Sequence, residues 1–383
     1  MLRPFALKMD IQRRVENAQA MMRESGLGAL FIPAQGAPGM MGLARYFTNL
    51  QLWAGSAWVV IGAEHPDPAL VQSSSYGVEW NKQEATTPWV ECPSPDPLGR
   101  AIEICKEFTG KDKKVGIAQL NKTWKVGEWT RVQEELLVDG RDAIDVTREL
   151  NGMRSIKSNF EIEEIYRTGT LLCQGLERFA EVARPGVRCW DAAAAAEEVL
   201  RSRGCFWGRS KYSLDLHPQT IPTPVDRRFS EEDIFVFELV YTGPLGYWHE
   251  MTAVFSFQRL PGEIQKQLEA QEKVIQACAL AMSAGARIGS MHDVASKVWQ
   301  EEGFEVVGQH TPNCHSIGLD DEDGPSSWFT PDEILEANMV LSFHPSTLLK
   351  GDRGFLISDN FLVTERGAVP LSPREWIYRK IEV

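Results

Sequence analysis

No stretch of this 383-residue sequence approaches the roughly 18 uninterrupted apolar residues of a membrane-spanning helix. Arg3 and Lys8 near the start are not followed by a long apolar run, so no secretory leader is read there. Cysteines are few and without pattern. The seven (Cys92, Cys105, Cys173, Cys189, Cys205, Cys278, Cys314) are odd in number, scattered and free of any CxxC spacing. That argues against a disulfide framework and a zinc ribbon, and predicts reduced thiols in a cytoplasmic setting. Positive charge is in deficit, 40 Lys+Arg against 53 Asp+Glu, a formal net charge of -13. Neither free nucleic acid nor an anionic membrane is therefore an expected partner. What remains is an ordinary globular balance, 43% hydrophobic and 24% charged, with material for two buried cores.

The first third alternates helix and strand. Ile11, Val15, Ala18 and Met22 recur at helical spacing, with Gly26 as the stop. Ala29–Ile32 reads as a buried strand ended by Pro33, and Trp58–Ile61 and Val115–Ala118 as further strands. Helices are expected at Ala101–Phe108 and about Glu128–Leu137. The alternation predicts a mixed sheet with flanking helices, and no glycine-rich phosphate loop appears in it. Val146 to Lys157 reads as the junction, giving domains at 1–150 and 151–383.

The second domain contains an echo. A long helix, roughly Asn159 to Val182, and a shorter one from Asp191 to Arg203 precede strands. A second long helix opens at Glu263-Ile264 and a second short one at Asp293, each displaced by about 102 residues from its counterpart. The recurrence predicts a duplicated half-domain with a pseudo-twofold axis, and ligand sites favour the meeting of such halves.

Candidate chemistry sits on the strands. Ile234–Val240 is an apolar run with one carboxylate, Glu238, which needs a cation, a metal or a proton if buried. The chain returns through Gly243-Pro244 to Gly246–Phe255, a hairpin whose second arm carries Glu250. Two glutamates on one sheet can share a proton or hold a cation. His315 lies among small and apolar neighbours, His344 ends the strand Met339–Phe343, and Asp359 interrupts the strand Phe355–Val363.

These motifs resemble the pita-bread hydrolases, the creatinase, prolidase and aminopeptidase P family. Gly246-Tyr247 through Thr252 and Phe255 is similar to the family's GYxxDxTRTF, and His315–Leu319 to its HGIGL. Phe343-His344-Pro345 stands where the family has glutamate before proline. Ser358-Asp359 falls in its final ED motif, ahead of Leu362–Gly367. Met153–Ser158 with Glu161-Ile162 resembles the entry to its catalytic domain. The resemblance implies an α/β (α+β) fold, a creatinase-like N-terminal domain followed by a pita-bread domain.

The resemblance also exposes departures. The family's metallopeptidases use Asp, Asp, His, Glu and Glu, against Glu238, Glu250, His315, His344 and Ser358 here. A serine hydroxyl cannot replace a bridging carboxylate, so a two-metal centre is not expected. The resemblance then points to the metal-free creatinase-like branch and a metal-independent hydrolase of an amide or amidine C–N bond, with no cofactor. His344 or His315 is the expected general base, and Glu250 would hold a cationic or amide group of a small polar substrate. Glu238 would orient the base or supply a second charge. Tyr247, Trp248, Asp359, His217 and Arg45 are the expected substrate-binding residues, and family likeness suggests a homodimer. A mononuclear metal-dependent Xaa-Pro peptidase or lyase, with two His and two Glu as ligands, is the first alternative. A non-catalytic binding module is the second.

Overall fold

The computed structural model describes residues 2–110, 114–138, 142–216, 221–309, 314–324, 330–345 and 347–382. The chain forms two compact units, Met1–Arg154 and Ser155–Val383.

The first unit runs α1 (Leu2–Glu24), β1 (Leu27–Gln35), α2 (Gly42–Thr48), β2 (Ser56–Gly62), β3 (Ala69–Gln72), α3 (Val78–Glu84), β4 (Trp89–Glu91), α4 (Pro97–Thr109), β5 (Lys114–Ile117), α5 (Val126–Glu135), β6 (Ala143–Asp145) and α6 (Thr147–Ser155). Its six-stranded mixed sheet has the order β4-β3-β2-β1-β5-β6. Pro33 does not end β1 as the sequence predicts. β1 pairs with β5 only as far as Phe31, while its antiparallel pairing with β2 continues to Gln35. Beyond Phe31 one edge of β1 no longer faces β5, so a residue without an N–H is tolerated. The expected junction is also partly helical. α6 crosses residue 150, and the units divide at 154/155.

The second unit runs α7 (Asn159–Val182), α8 (Cys189–Ser202), β7 (Gly208–Ser213), β8 (Ile234–Thr242), β9 (Trp248–Ser256), α9 (Gly262–Ala281), α10 (Ser290–Glu301), β10 (Val306–Gln309), β11 (Cys314–Ser316), β12 (Val340–Phe343), β13 (Thr347–Leu349), β14 (Asp352–Arg353), β15 (Asp359–Thr364), β16 (Gly367–Pro370) and β17 (Tyr378–Lys380). Long helix, short helix and strands thus occur in the same order twice. α7 begins with a capping box, in which Ser158 Oγ accepts from the Glu161 amide and Glu161 accepts from the Ser158 amide. Its inward face packs with α8 onto the aromatic row Phe235, Phe237 and Phe255 of the hairpin. α9 and α10 cover β12 and β15 in the same way, around Trp299, Leu341 and Val363.

The β8–β9 hairpin turns through Gly243–Gly246, where Gly246 takes φ 81°, open to glycine at no steric cost. It belongs to the sheet β17-β9-β8-β7, and the second half builds β11-β12-β15-β16. The two sheets meet along the outer edge of β9. Its amides at Trp248 and Thr252 donate to the carbonyls of Gly318 (2.7 Å) and Ser358 (3.0 Å). Between them the Glu250 amide donates to Asn360 Oδ1 at 3.2 Å. Among the described residues no helix is long and apolar enough to cross a membrane.

Candidate active site

The hairpin register separates the two glutamates. Glu238 faces Thr252 across the strands, and Glu250 faces Val240. They belong to neighbouring clusters, and the expected shared proton gives way to two distinct networks.

Glu238 is buried with its charge already answered. Oε1 accepts from the hydroxyls of Thr252 and Ser358, each at 3.0 Å, and Lys211 Nζ lies 2.7 Å from Oε2. The Thr252 and Ser358 hydroxyls are 2.6 Å apart. Two hydroxyls thus bond Oε1, while Oε2 is met by the ammonium as an ion pair and has no hydrogen-bond partner among the described residues.

Glu250 gathers the two histidines. His315 Nε2 is 3.5 Å from Oε1, His344 Nε2 is 3.3 Å from Oε2, and the two Nε2 atoms are 3.2 Å apart. The Ser342 hydroxyl donates to Glu250 Oε2 at 3.1 Å and stands 3.1 Å from His344 Nε2. His315 Nδ1 contacts the Ser316 carbonyl at 3.1 Å, which turns Nε2 toward the carboxylate. Burial alone would push the Glu250 carboxyl up, but the charge of His315 and the hydrogen bonds of both histidines hold it well below the usual carboxylate range. Burial likewise favours neutral His315, and Glu250 outweighs it and raises that imidazole. The two directions agree on a carboxylate–imidazolium pair when the site is empty of other charge.

The same three residues suit one cation. Their donor atoms lie within 4.8 Å of one another. Donors at about 2.0–2.1 Å around a tetrahedral ion stand about 3.3 Å apart, close to the three separations above. Two imidazoles and one carboxylate match the three-ligand pattern of catalytic ions, which leaves a further position open. Among the described residues no second group of three such donors stands together.

The remaining expected residues distribute differently. Asp359 was expected to bind substrate, but strand alternation turns it away from Ser358 and the cluster. It pairs with Arg374 at 2.8 Å, accepts from Ser372 at 3.2 Å and lies 3.8 Å from His249. Arg374 also donates to the carbonyls of Thr252 and Ser358, so this group braces β9 against β15 from behind. Tyr247 and Trp248 are buried to 1% and 3% exposure, which leaves little surface for a ligand. Arg45 lies buried on α2 in the first unit, and His217 falls outside the described residues. The sequence reading missed Ser342, Lys211, Arg209 and Asp321. Arg209 approaches Asp321 at 3.4 Å. Burial raises the Asp321 carboxyl; Arg209 opposes the shift and nearby Glu250 adds to it. Arg209 and Lys211 alternate with Ser210 and Tyr212 in a strand too poor in apolar residues for the sequence pattern alone to mark.

The pattern of metallopeptidase family M24 matches residues 163–365, more than half of the chain. An uncharacterised peptidase of Staphylococcus aureus is 26% identical over 238 residues, 58% of this chain and 64% of that protein. The match therefore spans less than two thirds of that relative. A dipeptidase from Mycobacterium ulcerans superposes with a TM-score of 0.76 at 19% identity, covering 98% of this chain and 99% of that one. A prolidase from Pyrococcus horikoshii gives 0.76 at 18% identity, covering 95% and 99%. At these identities the two structures establish the fold, and the family match is independent of them. The chain belongs to metallopeptidase family M24 and has its two-domain α/β, pita-bread architecture.

Proposed function

We propose that this protein is a C–N bond hydrolase of the Xaa-Pro peptidase kind that works with a single divalent ion. The observation that carries the reading is the convergence of Glu250, His315 and His344 donors within 4.8 Å. The peptidase names of its relatives support it over the metal-independent chemistry expected from the substituted motif. Glu250, His315 and His344 would hold the ion. Such an ion, when bound, polarises a carbonyl and makes bound water acidic. The Ser342 hydroxyl donates to Glu250 Oε2, and the Ser316 carbonyl meets His315 at Nδ1, which leaves that imidazole's Nε2 for the ion. Asp321 holds a proton more readily than an ordinary carboxyl and lies near Glu250, which suits it to exchange a proton with substrate. Glu238 anchors Lys211.

A second reading, with His344 or His315 as a metal-free base, draws on the direct contacts among Glu250, Ser342 and the histidines. One experiment separates them. Protein freed of metal and reloaded with zinc, manganese or iron is assayed for bound ion and for hydrolysis of Xaa-Pro dipeptides. The single-ion reading expects about one ion per chain and turnover that follows loading. His344→Ala should lose the ion and lower kcat by about 10²-fold or more. Full turnover without any ion would return the chemistry to the histidines.

A further inference from the structure

The sheet β11-β12-β15-β16 has two faces, and the candidate site uses one of them. Register sets His315, Ser342 and Asn360 in one row and Cys314, Phe343 and Asp359 in the next. Alternation turns the first row toward Glu250 and the second to the back. Phe361 and Pro370, paired across β15 and β16, share that back face. α9 and α10 cover much of it, but a cavity of about 300 Å³ stays open where β12 ends and β15 begins. Phe343, Asp359, Phe361 and Pro370 line it from the sheet. Glu272, Ile275, Gln276 and Ala279 line it from α9, and their i, i+3, i+4 and i+7 spacing is one face of that helix. Arg374 to Ile377, the chain leading into β17, closes the remaining side. The volume is at the lower end for a small-molecule site.

The walls are mainly apolar and aromatic. The charged residues in the lining are Glu272, Asp359, Arg374 and Glu375. Asp359 and Arg374 answer each other at 2.8 Å, with the Arg374 side chain 2% exposed. Glu272 and Glu375 reach solvent, and among the described residues they have neither a hydrogen bond nor an ion pair. Burial and Glu269 push the Glu272 carboxyl up, and no cation opposes them. On the positive side stands Arg379, whose guanidinium lies 5.8 Å from the Trp376 ring centre. Glu269, Glu272 and Glu375 thus outnumber it, and the mouth of the cavity is negative.

We infer that this cavity is a second, non-catalytic ligand site, and that it takes a small organic ammonium with an apolar or aromatic body. The body fills the space between Ile275, Phe343, Phe361 and Trp376. The ammonium lies between the two unpaired carboxylates and gains from the aromatic faces beside it. An anionic ligand is disfavoured, because Arg374 already gives its donors to Asp359 and to the Thr252 and Ser358 carbonyls. The assignment stands independently of the hydrolase reading, since strand alternation puts the cavity behind the trio.

The test is calorimetry with phenethylamine, phenethyl alcohol and phenylacetate, which share an apolar body and differ in charge. It is run at about pH 8, where carboxyls are ionised and an alkylamine is protonated. Wild type is compared with the double variant Glu272→Gln, Glu375→Gln and with Gln276→Trp. All three positions are exposed, so each protein should fold as wild type does. Wild type should bind the amine about tenfold or more tighter than the alcohol, and the acid more weakly than either. The double variant should bring amine and alcohol to the same affinity. Gln276→Trp, which puts a bulky ring into the cavity wall, should weaken the amine by about tenfold or more. The inference is overturned if wild type does not bind the amine at millimolar concentration or binds amine and alcohol alike. It is equally overturned if the amine preference survives in the double variant, or if Gln276→Trp binds the amine as wild type does, since the ligand then sits elsewhere.

Discussion

Gly169 offers a perturbation whose size follows from geometry. It lies on the inner face of α7, where an added Cβ would stand 2.5 Å from the Leu371 carbonyl oxygen and 2.6 Å from His249 Nε2. His249 is fully buried, and its ring spans the Leu371 carbonyl (3.2 Å) and the Glu250 carbonyl (3.0 Å). In an open helix Gly→Ala gains about 1 kcal/mol of propensity. Here overpacking costs about 1–3 kcal/mol, and displacing the His249 ring forfeits a hydrogen bond of about 1 kcal/mol. The Leu371 oxygen is backbone and cannot rotate away, so the cost wins and Gly169→Ala should destabilise by about 1–3 kcal/mol. For a unit of this size that is a fall of about 3–8 °C in Tm. Gly152, on α6 with nothing within 4 Å of its Cβ position, is the control. Gly152→Ala should raise the stability of the first unit by about 0.5–1 kcal/mol. Scanning calorimetry of the full chain reads both. A Gly169→Ala protein as stable as wild type would refute the close packing of α7 against His249.

Ion binding should depend on pH through His315. Its folded pKa is raised, so below that value an entering ion must displace a proton, and affinity should climb with pH and then level off. Calorimetry in buffers of different ionisation enthalpy should show proton release at about pH 6.5, and its absence there would refute the imidazolium–carboxylate pair. In the ion-free protein the His315 contribution to stability is present below its unfolded pKa of about 6.5 and is lost as pH rises through the folded value. Asp233 predicts the opposite limb. Burial would raise its carboxyl, but Arg227 and Ser230 bring it below the usual range. Its stabilisation is present above about pH 4 and lost as pH falls through the folded pKa. Asp233→Asn should therefore flatten the acid side of a stability–pH curve, and an unaltered curve would count against the pair.

The hydrophobic pattern reveals which strands carry chemistry. Glu238 and Glu250 each interrupt an apolar run, His315 lies within the buried strand β11 and His344 directly follows β12, so the sequence marks them without reference to partners. Their pairing is not legible in that pattern. Register decides that Thr252, and not Glu250, opposes Glu238. Lys211 lies in Gly208–Ser213, a strand with too little apolar content to announce itself. Ser342 reads as an ordinary polar residue until β11 brings His315 alongside it. Asp359 shows the parity problem most directly, since one residue separates the face that meets Glu238 from the face that meets Arg374.

The edge of β9 gives the trio a second meaning. Glu250 comes from one half of the duplicated domain, and His315 and His344 from the other, while few main-chain hydrogen bonds join the two sheets there. Whatever the three residues grip is therefore a rivet through that joint. An occupant bound at a concentration one hundred times its Kd would stabilise the assembled form by about 2.7 kcal/mol, if the separated halves cannot hold it. Amide hydrogens of Trp248, Glu250 and Thr252 would then exchange more slowly on loading than those deeper in the hairpin. Holding the ligand and holding the halves together become one act, and a weaker grip on either loosens both.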